Sequence, residues 1–369
     1  MTAALQTDRL APGVGTPPRP GADSIAVMVI DDSLTVRTVF SRMIDREADL
    51  SIVAQASTAE EALGILRSMR VDVILLDLEM PGMGGLEALP KLLRLAQGAH
   101  VLVVSSLTTD GAEATLSALQ MGAADTMLKP RPGGFNEEYR AGLLGKIRAL
   151  GGKTLPRSAV RPPVAAPAPR CATKQPRVVA IGASTGGIHA LNLFLRRIPA
   201  TFDLPILITQ HLPENFMPVF ARQVETAANR DAVLAGEGTV IAPRRVVIAP
   251  GQGHMVVRRD RGQMVTGLAY HAVKSGCRPS VDPMFSSLAE AYDGHVAAVL
   301  LSGMGRDGTD GAEQVAAAGG AVFAQDEATC AVWGMPRAVT ERGIACAVSP
   351  PEDLADLVAA AAAGARSWR

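Results

Sequence analysis

The chain has no C-x-x-C pair, few aromatic residues and no long hydrophobic run, and each absence excludes a class of protein. Its four cysteines, Cys171, Cys277, Cys330 and Cys346, have neither the spacing of a structural zinc site nor that of a disulfide framework. The Pro- and Gly-rich N-terminus lacks the apolar segment of a signal peptide, and no run approaches the ~18 apolar residues of a membrane span. We therefore expect a cytoplasmic protein with reduced thiols.

The chain also lacks net charge, with 36 basic and 36 acidic residues. A protein that coats nucleic acid needs a surplus of Lys and Arg, so that class is disfavoured. The balance hides an acidic segment over 25–150 and a basic strip over 151–176 that contains five Lys and Arg and no acid. The strip is interpreted as a solvated spacer, and the alternatives are that it binds nucleic acid or that it contacts the acidic segment.

Length and proline clusters predict the domain organisation. A chain of 369 residues is expected to hold two or three domains. Prolines mark residues 1–24 as a disordered tail and 151–176 as an extended Pro/Ala linker. The first module (residues 25–150) and the second module (residues 177–369) remain as folded units.

Both modules alternate apolar runs of strand length with helical patterns, which is typical of an α/β fold with a parallel sheet. In the first module the runs are 25–30, 51–56, 71–76, 101–106 and about 125–128, with helices expected from about Thr35, Thr58 and Gly85 and a last one near 137–150. In the second module they are 178–182, 204–209, 246–250, 296–302 and 321–325. We expect a doubly wound sheet in each module.

Polar residues follow the strands of the first module, where parallel sheets bind ligands. They are three carboxylates, a hydroxyl and an ammonium: Asp31, Asp32, Asp77, Ser105 and Lys129. Converging carboxylates repel one another, so the cluster needs a divalent cation or the lysine to stay ionised, and oxygen ligands favour Mg²⁺. A carboxylate beside such an ion is a competent nucleophile towards phosphorus. The alternative, that these acids are only helix caps, is disfavoured by their number.

The first module resembles response-regulator receiver domains in four motifs: IDDS (30–33), LLDLEMPGMGG (75–85), VVSS (103–106) and LKP (128–130). The resemblance implies a flavodoxin-like, five-stranded parallel sheet. It implies that Asp77 is phosphorylated by a histidine kinase, CheA, and that Ser105 and Lys129 bind the phosphoryl group. It also implies that Mg²⁺ is bound by Asp31 or Asp32, by Asp77 and by the Glu79 carbonyl.

The second module contains a candidate nucleophile, Ser184, in the sequence G-A-S-T-G (182–186) between a strand and a helical stretch. Glycines permit the sharp turn, and the helix N-terminus supplies N–H groups suited to an oxyanion. A phosphate-binding loop is the alternative, but the segment has no Walker lysine.

A serine nucleophile needs a base and an orienting carboxylate. His211 directly follows the next strand, and no other histidine is placed as well. Asp307 and Asp310 lie on a Gly-rich loop after a later strand, and spacing alone does not choose between them. The order Ser, His, Asp differs from the Ser, Asp, His order of α/β-hydrolases, so that fold is not implied.

Residues 177–349 resemble the catalytic domain of the CheB family of chemotaxis protein-glutamate methylesterases, and the receiver, linker and catalytic order matches the same family. The motifs are IGASTGG (181–187), QHLP (210–213), RPSVDPMF (278–285), LLSGMGRDG (300–308) and WGMPRAV (333–339). The resemblance implies that Ser184 is the nucleophile, His211 the base and Asp307 the orienting carboxylate, with the N–H groups of Thr185 and Met304 as the oxyanion hole.

The same resemblance implies the activity and its partners. The substrates are glutamate methyl esters on the cytoplasmic helices of methyl-accepting chemotaxis receptors, with deamidation of receptor glutamines as a second reaction. Phosphorylation of the receiver is implied to relieve its packing over the catalytic cleft. The hydrolysis itself is implied to need no cofactor, and contact with membranes is implied only through the receptors.

Two departures and two alternatives qualify this interpretation. Arg306 stands where the family often has Asn, and Cys277 stands where a larger residue is common. Cys277 is expected to be buried and unreactive, the alternative being a redox-sensitive thiol. A DNA-binding output domain is disfavoured because the second module has net charge −1. A scaffold without catalysis is disfavoured by the intact Ser184, His211 and Asp307.

Overall fold

A computed structural model describes residues 24–105, 109–130, 134–152 and 172–365. The predicted tail, apart from Ser24, and residues 153–171 of the predicted linker lie outside these ranges. The ends of that linker belong to the modules. Gly151 closes the last helix of the first module, and Ala172 is buried while the amides of Thr173 and Lys174 donate to the Gly319 carbonyl of the second module.

The first module is a five-stranded parallel sheet flanked by five helices, as expected. The strands are β1 Ile25–Ile30, β2 Leu50–Ala56, β3 Val73–Asp77, β4 His100–Ser105 and β5 Asp125–Leu128. The helices are α1 Leu34–Ile44, α2 Ala59–Ile65, α3 Gly84–Leu95, α4 Thr109–Gln120 and α5 Glu137–Gly151. The strand order is β2-β1-β3-β4-β5, so the chain changes direction between β1 and β3 and opens a crevice at their carboxyl ends.

Local sequence explains where three of these helices begin. Ser33, Thr58 and Asn136 are N-caps whose side-chain oxygens accept from the amides of Val36, Glu61 and Tyr139. Such caps satisfy N–H groups that the first turn of a helix leaves without a partner. The third strand differs from its predicted bounds. It was predicted over 71–76, whereas it begins at Val73 and ends at Asp77.

The second module is built on a seven-stranded parallel sheet in the order β14-β13-β12-β6-β7-β9-β8. These strands are β6 Val178–Ala183, β7 Ile206–Gln210, β8 Ala232–Leu234, β9 Val246–Ile248, β12 Val296–Leu300, β13 Ala321–Gln325 and β14 Ala347–Ser349. The helices are α6 Gly187–Arg197, α7 Met217–Ala228, α8 Val281–Ala291, α9 Thr309–Ala317, α10 Met335–Glu341 and α11 Pro351–Ala362, and a 3₁₀ turn spans Glu214–Phe216. The chain reverses direction between β6 and β12, which places the ligand-binding edge there.

A hairpin that the sequence reading did not predict lies beside this sheet. Strands β10 (His254–Asp260) and β11 (Gln263–Ala269) pair antiparallel. The connecting residues Arg261 and Gly262 have φ of 48° and 86°, as the two central residues of a type I′ turn require. The Arg-Gly pair between two short runs that contain Met and Val was the sequence signal for the hairpin. The second module is therefore mostly, but not wholly, parallel.

The two modules pack against each other through helix α4. It contacts α6, α7 and the 3₁₀ turn of the second module. Leu116 and Leu119 on α4 belong to the same buried apolar cluster as Ile188, Phe216 and Phe220. None of the helices in the described ranges combines the length and the apolarity needed to cross a bilayer.

Candidate active site and phosphoacceptor pocket

The predicted acidic cluster of the first module comes together at the carboxyl ends of β1 and β3. Carboxylate oxygens of Asp31, Asp32 and Asp77 lie within 4.8 Å of one another. Asp31 and Asp77 are buried, and Asp32 is exposed. The Lys129 ammonium lies 2.6 Å from Asp77 Oδ2 and 3.0 Å from Asp31 Oδ2. One cation thus faces three carboxylates.

The pKa of Asp77 is raised to about 6 in this pocket. Burial is the largest cause, and the neighbouring charge of Asp31 adds to it, while Lys129 and the Glu79 amide oppose it. The structure therefore leaves the pocket short of positive charge. A divalent cation on these oxygens would supply what is missing.

The pocket fits Mg²⁺ and a phosphoryl group on two grounds. Its oxygen donors are those that Mg²⁺ prefers, and the buried Ser105 hydroxyl has no hydrogen-bond partner among the described residues. A buried hydroxyl that makes no hydrogen bond destabilises the folded state unless a bound ligand supplies the hydrogen-bond partner. Glu79 takes part through its amide, which donates to Asp77 Oδ1 at 3.1 Å. The predicted role of the Glu79 carbonyl as a metal ligand stays a prediction.

In the second module, Ser184 lies on a tight turn between β6 and α6. Its amide donates to the Ser302 carbonyl at 3.0 Å, which ties the turn to the loop after β12. Gly186 has φ of 75°, and a Cβ there would lie 2.5 Å from the Ala331 Cβ and 2.6 Å from the Ser302 hydroxyl. Only glycine fits this position, because both the conformation and the space exclude a side chain.

His211 follows β7 and reaches the same place. Its amide donates to the Ala183 carbonyl at 3.0 Å, and its ring Nε2 lies 2.8 Å from Asp307 Oδ2. Burial of the ring lowers its pKa, but hydrogen bonds to Asp307 and to Cys277 outweigh burial and raise the pKa to about 9. Since Nε2 is engaged by Asp307, Nδ1 is the ring nitrogen left to accept a proton from a nucleophile.

The structure brings Asp307, and not Asp310, to His211. Asp307 is buried and accepts from the Ser280 hydroxyl at 2.6 Å and from the Val281 amide at 2.7 Å. Burial raises its pKa, but these donors and His211 lower it further, to about 2. Asp310 pairs instead with Lys274 at 2.9 Å and with Arg342 at 3.4 Å.

Sequence reasoning missed the residues that hold Asp307. Ser280 lies within the RPSVDPMF motif, and its amide donates to His254 Nδ1 at 3.0 Å. His254 Nε2 lies 3.0 Å from the His271 carbonyl, so Nε2 carries the proton and Nδ1 is the acceptor. Burial lowers the pKa of His254 and favours this neutral form. A serine directly before a helix was the available signal, but its partner is 27 residues away.

Ser184, His211 and Asp307 line one cleft of about 780 Å³. Thr185 and Met304, the predicted oxyanion-hole residues, line it as well. Thr185 is buried and Met304 is half exposed. The oxyanion role of their amides stays a prediction.

The expectation that Cys277 is buried was wrong. Its side chain is partly exposed and lines the cleft. The loop before α8 brings the thiol there, and three exposed residues, Lys274, Ser275 and Gly276, precede it. Arg306, the other departure from the family pattern, also lines the cleft.

The first module closes one side of this cleft. The Ala124 carbonyl accepts from the Gly186 amide at 2.5 Å, and Asp125 Oδ2 accepts from the Thr185 hydroxyl at 2.5 Å. Lys146 Nζ also lies 2.5 Å from Asp125 Oδ2, and it lines the cleft. The two residues that directly follow Ser184, Thr185 and Gly186, are therefore held by the first module.

Two further contacts extend this interface away from the nucleophile. His189 Nδ1 lies 3.0 Å from the Gln120 carbonyl, and Arg222 pairs with Glu113 at 2.6 Å. Both partners in the ion pair are more than half exposed, so this pair contributes little stability. The buried contacts at Thr185 and Gly186 are the ones that bear on the site.

Comparisons with known proteins agree with this architecture. The family model described as CheB methylesterase matches residues 179–358, and the response regulator receiver domain model matches residues 27–134. A protein-glutamate methylesterase/protein-glutamine glutaminase of Paramagnetospirillum magneticum is 41% identical, covering 92% of this chain and 96% of that protein. One of Caulobacter vibrioides is 42% identical, covering 91% and 98%.

A solved structure is also similar, the CheB methylesterase catalytic domain of Thermotoga maritima. It is 35% identical, with a TM-score of 0.48, and the match covers 50% of this chain and 97% of that one. Together with the receiver pocket and the Ser, His and Asp cleft described above, the family models and the relatives establish that this chain belongs to the CheB family of chemotaxis protein-glutamate methylesterases/protein-glutamine glutaminases.

Proposed function

We propose that this enzyme hydrolyses glutamate methyl esters on the cytoplasmic helices of chemotaxis receptors and deamidates receptor glutamines, under control of phosphorylation at Asp77. The observation that carries the catalytic half is the hydrogen bond between His211 and Asp307 in the cleft that Ser184 lines. An imidazole held through one ring nitrogen can take a proton from a nucleophile at the other.

Hydrolysis proceeds through an acyl-enzyme. Ser184 Oγ attacks the side-chain carbonyl carbon while His211 Nδ1 takes its proton, and the carbonyl oxygen becomes an oxyanion to which the Thr185 and Met304 amides donate. Collapse breaks the ester C–O bond, and His211 returns the proton so that methanol leaves, or ammonia from a glutamine. Water then attacks the acyl-enzyme with His211 as base. Each oxyanion donor of this kind contributes about 10²–10³ in rate.

Asp307 acts by holding the imidazole. Its carboxylate accepts from Ser280, Val281 and His211, so it stays ionised and fixed in position. A fixed carboxylate keeps the proton on Nε2 and stabilises the imidazolium that forms during each step. The raised pKa of His211 is the electrostatic result of this contact.

Strand β5 gives phosphorylation a physical route to the cleft. Asp125, at its first residue, holds Thr185 beside the nucleophile, and Lys129, just past its last residue, binds Asp77. Mg²⁺ on Asp31, Asp32 and Asp77 would neutralise charge for phosphoryl transfer. A phosphoryl group on Asp77 would draw Lys129 away from its present partners. We infer that this shift moves β5 and loosens its hold on Thr185, since phosphorylation acts only through contacts that differ between two states.

The catalytic half is tested by methanol release from methylated receptor membranes. We expect Ser184→Ala to lose at least about 10³-fold of the rate, because the acyl-enzyme cannot form on this residue without the serine hydroxyl. Ser287→Ala is the matched control, since Ser287 lies on α8 outside the cleft lining. Wild-type rates for Ser184→Ala would contradict the nucleophile assignment.

The regulatory half is tested by the same assay with and without acetyl phosphate. We expect stimulation of wild type and none of Asp77→Asn. Asp125→Ala should raise the rate measured without acetyl phosphate, because it removes the contact to Thr185. Asp45→Ala is the control and should leave that rate unchanged, since Asp45 is the exposed C-cap of α1. A basal rate for Asp125→Ala at or below that of wild type would contradict occlusion by the first module.

A further inference from the structure

The Cys277 thiol lines the cleft and has no part in the proposed hydrolysis. A ring nitrogen of His211, the Cys277 Sγ and a carboxylate oxygen of Asp307 all lie within 4.8 Å of one another. Asp307 is buried, while the other two are partly accessible from the cleft. These three groups are a nitrogen, a sulfur and an oxygen donor that converge on one point.

This donor set matches the coordination chemistry of zinc. Zn²⁺ binds His, Cys and Asp in tetrahedral sites with bonds of roughly 2.0–2.3 Å, which places its ligand atoms about 3.4 Å apart. His211 Nε2 and Asp307 Oδ2, now 2.8 Å apart, would separate by about half an ångström to reach that spacing, and Cys277 Sγ lies within 4.8 Å of both residues' donor atoms. Cys277 is able to move because exposed residues 274–276 precede it. The cleft leaves the fourth position open to water, as in zinc sites with three protein ligands.

We propose that His211, Cys277 and Asp307 form a site for Zn²⁺ and that its occupation inhibits the hydrolase. The thiol proton leaves to solvent as the Zn–S bond forms, and the thiolate and the Asp307 carboxylate neutralise the ion. Zn²⁺ replaces the proton on His211 Nε2, which passes to solvent while Nδ1 takes one up, so the hydrogen bond to Asp307 is lost and Nδ1 no longer serves as the base. The binding part stands on geometry alone, and the inhibition part rests on the proposed function.

The two metal sites of this chain then differ in chemistry. The cluster of Asp31, Asp32 and Asp77 offers only oxygen and suits Mg²⁺, whereas the cleft offers nitrogen and sulfur as well. Millimolar Mg²⁺ is therefore expected to fill the first module without displacing a thiophilic ion from the second. This difference allows each site to be studied in the same full-length protein.

Binding is tested with Co²⁺ as a spectroscopic substitute for Zn²⁺. The full-length protein, stripped with EDTA and held in excess Mg²⁺ with a reductant that does not bind metal, is titrated with Co²⁺. We expect a thiolate-to-cobalt charge-transfer band and intense tetrahedral d–d absorption that Zn²⁺ abolishes. Cys277→Ser should lose the charge-transfer band, and Cys346→Ser should keep it. A band retained in Cys277→Ser, or absent from wild type, overturns the proposal.

Inhibition is tested by methanol release at buffered free Zn²⁺, with each variant compared with its own metal-free rate. We expect at least tenfold inhibition of wild type, reversal by EDTA, and half-inhibition of Cys277→Ser at roughly 10–100-fold higher Zn²⁺, as for loss of a metal-site group. Equal inhibition of Cys277→Ser overturns the proposal, as does a loss of activity that a thiol reductant reverses and EDTA does not. If no methylesterase activity is found at all, the cobalt spectrum still decides whether the site exists.

Discussion

Two buried aspartates, Asp77 and Asp307, lie at the carboxyl ends of parallel strands in the two modules and have opposite electrostatic character. The pKa of Asp77 is raised to about 6, and the pKa of Asp307 is lowered to about 2. Burial raises the pKa of both, so burial does not explain the difference. The donors around each carboxylate explain it.

Asp77 shares one ammonium with Asp31 and receives one amide, so its charge is only partly compensated. Asp307 receives a hydroxyl, an amide and an imidazole and has no acidic partner on its own oxygens. A carboxylate with several donors is held ionised and fixed, whereas one facing another acid favours a ligand that brings positive charge. The Asp77 pocket is therefore suited to bind a positively charged ligand, whereas Asp307 is suited to hold the His211 base in place.

The largest expected effect comes from removing the charge of Asp307. Asp307→Asn should reduce kcat for methanol release by about 10⁴-fold, because an amide no longer holds His211 in the required tautomer. The neighbouring Asp310→Asn is the control, since Asp310 pairs with surface Lys274 and Arg342. A loss as large in Asp310→Asn would reverse the assignment of the two acids.

The two aspartates should also have opposite effects on stability as pH changes. The pKa of Asp77 is about 6 in the folded state and 3.8 in the unfolded state. Between those pH values the folded state binds more protons than the unfolded state. Stability therefore falls as pH rises from about 4 to about 6. At ~1.4 kcal/mol per pKa unit this slope amounts to about 3 kcal/mol. Asp307 contributes stability above pH 3.8 that is lost only as pH falls towards about 2.

Urea unfolding between pH 4 and 6 in the absence of Mg²⁺ measures this contrast. The difference between wild type and Asp77→Asn should change across the window, and the difference between wild type and Asp307→Asn should stay nearly flat. If the two differences in unfolding free energy changed with pH in the same way, the donors around the two carboxylates would not be what sets their charge states.

Addition of Mg²⁺ should stabilise the first module through Asp77 and leave Asp307 unaffected. At 100 times its dissociation constant, a ligand specific to the folded state stabilises by about 2.7 kcal/mol. Wild type should gain this stability in thermal unfolding, and Asp77→Asn should gain much less because the cluster loses one carboxylate. Asp310→Asn should behave like wild type. An equal gain in all three proteins would place the ion elsewhere.

The smallest expected effect is at Ser280. Ser280→Ala removes one of the donors to Asp307, a hydrogen bond to a charged group worth about 1.5–3 kcal/mol. We expect kcat to fall roughly tenfold or more with little change in KM, since Ser280 positions Asp307 and does not line the cleft. A change confined to KM would show that Ser280 contacts substrate instead.

Sequence predicted well those features that depend on neighbouring residues. The five residues of the phosphoacceptor pocket end strands or closely follow them, and hydrophobic periodicity locates strand ends. Ser184 was also predicted from local sequence, because it follows an apolar run and the small residues around it favour a sharp turn. The Arg-Gly hairpin of β10 and β11 carried a comparable local signal that was missed.

Spacing alone did not separate Asp307 from Asp310, which are three residues apart on one loop, and the family resemblance was needed to choose between them. Gly305 and Gly308 both have φ of 84°, and the backbone between them turns Asp307 inward. Asp310 then lies in the first turn of α9, where its carboxylate pairs with Lys274 and Arg342. The choice depends on where the loop meets His211 and Ser280, which are far away in sequence.

By itself, then, the sequence determined two parallel α/β modules, the strand ends where their polar residues gather, and the turn that presents Ser184. Only the tertiary structure decided that Ser280 holds Asp307, that Asp125 of the first module holds Thr185, and that Cys277 faces His211. The physical reason is that strands, helices and turns are specified by residues close in sequence, whereas these contacts join segments 27 to 66 residues apart, whose meeting depends on how the folded units pack.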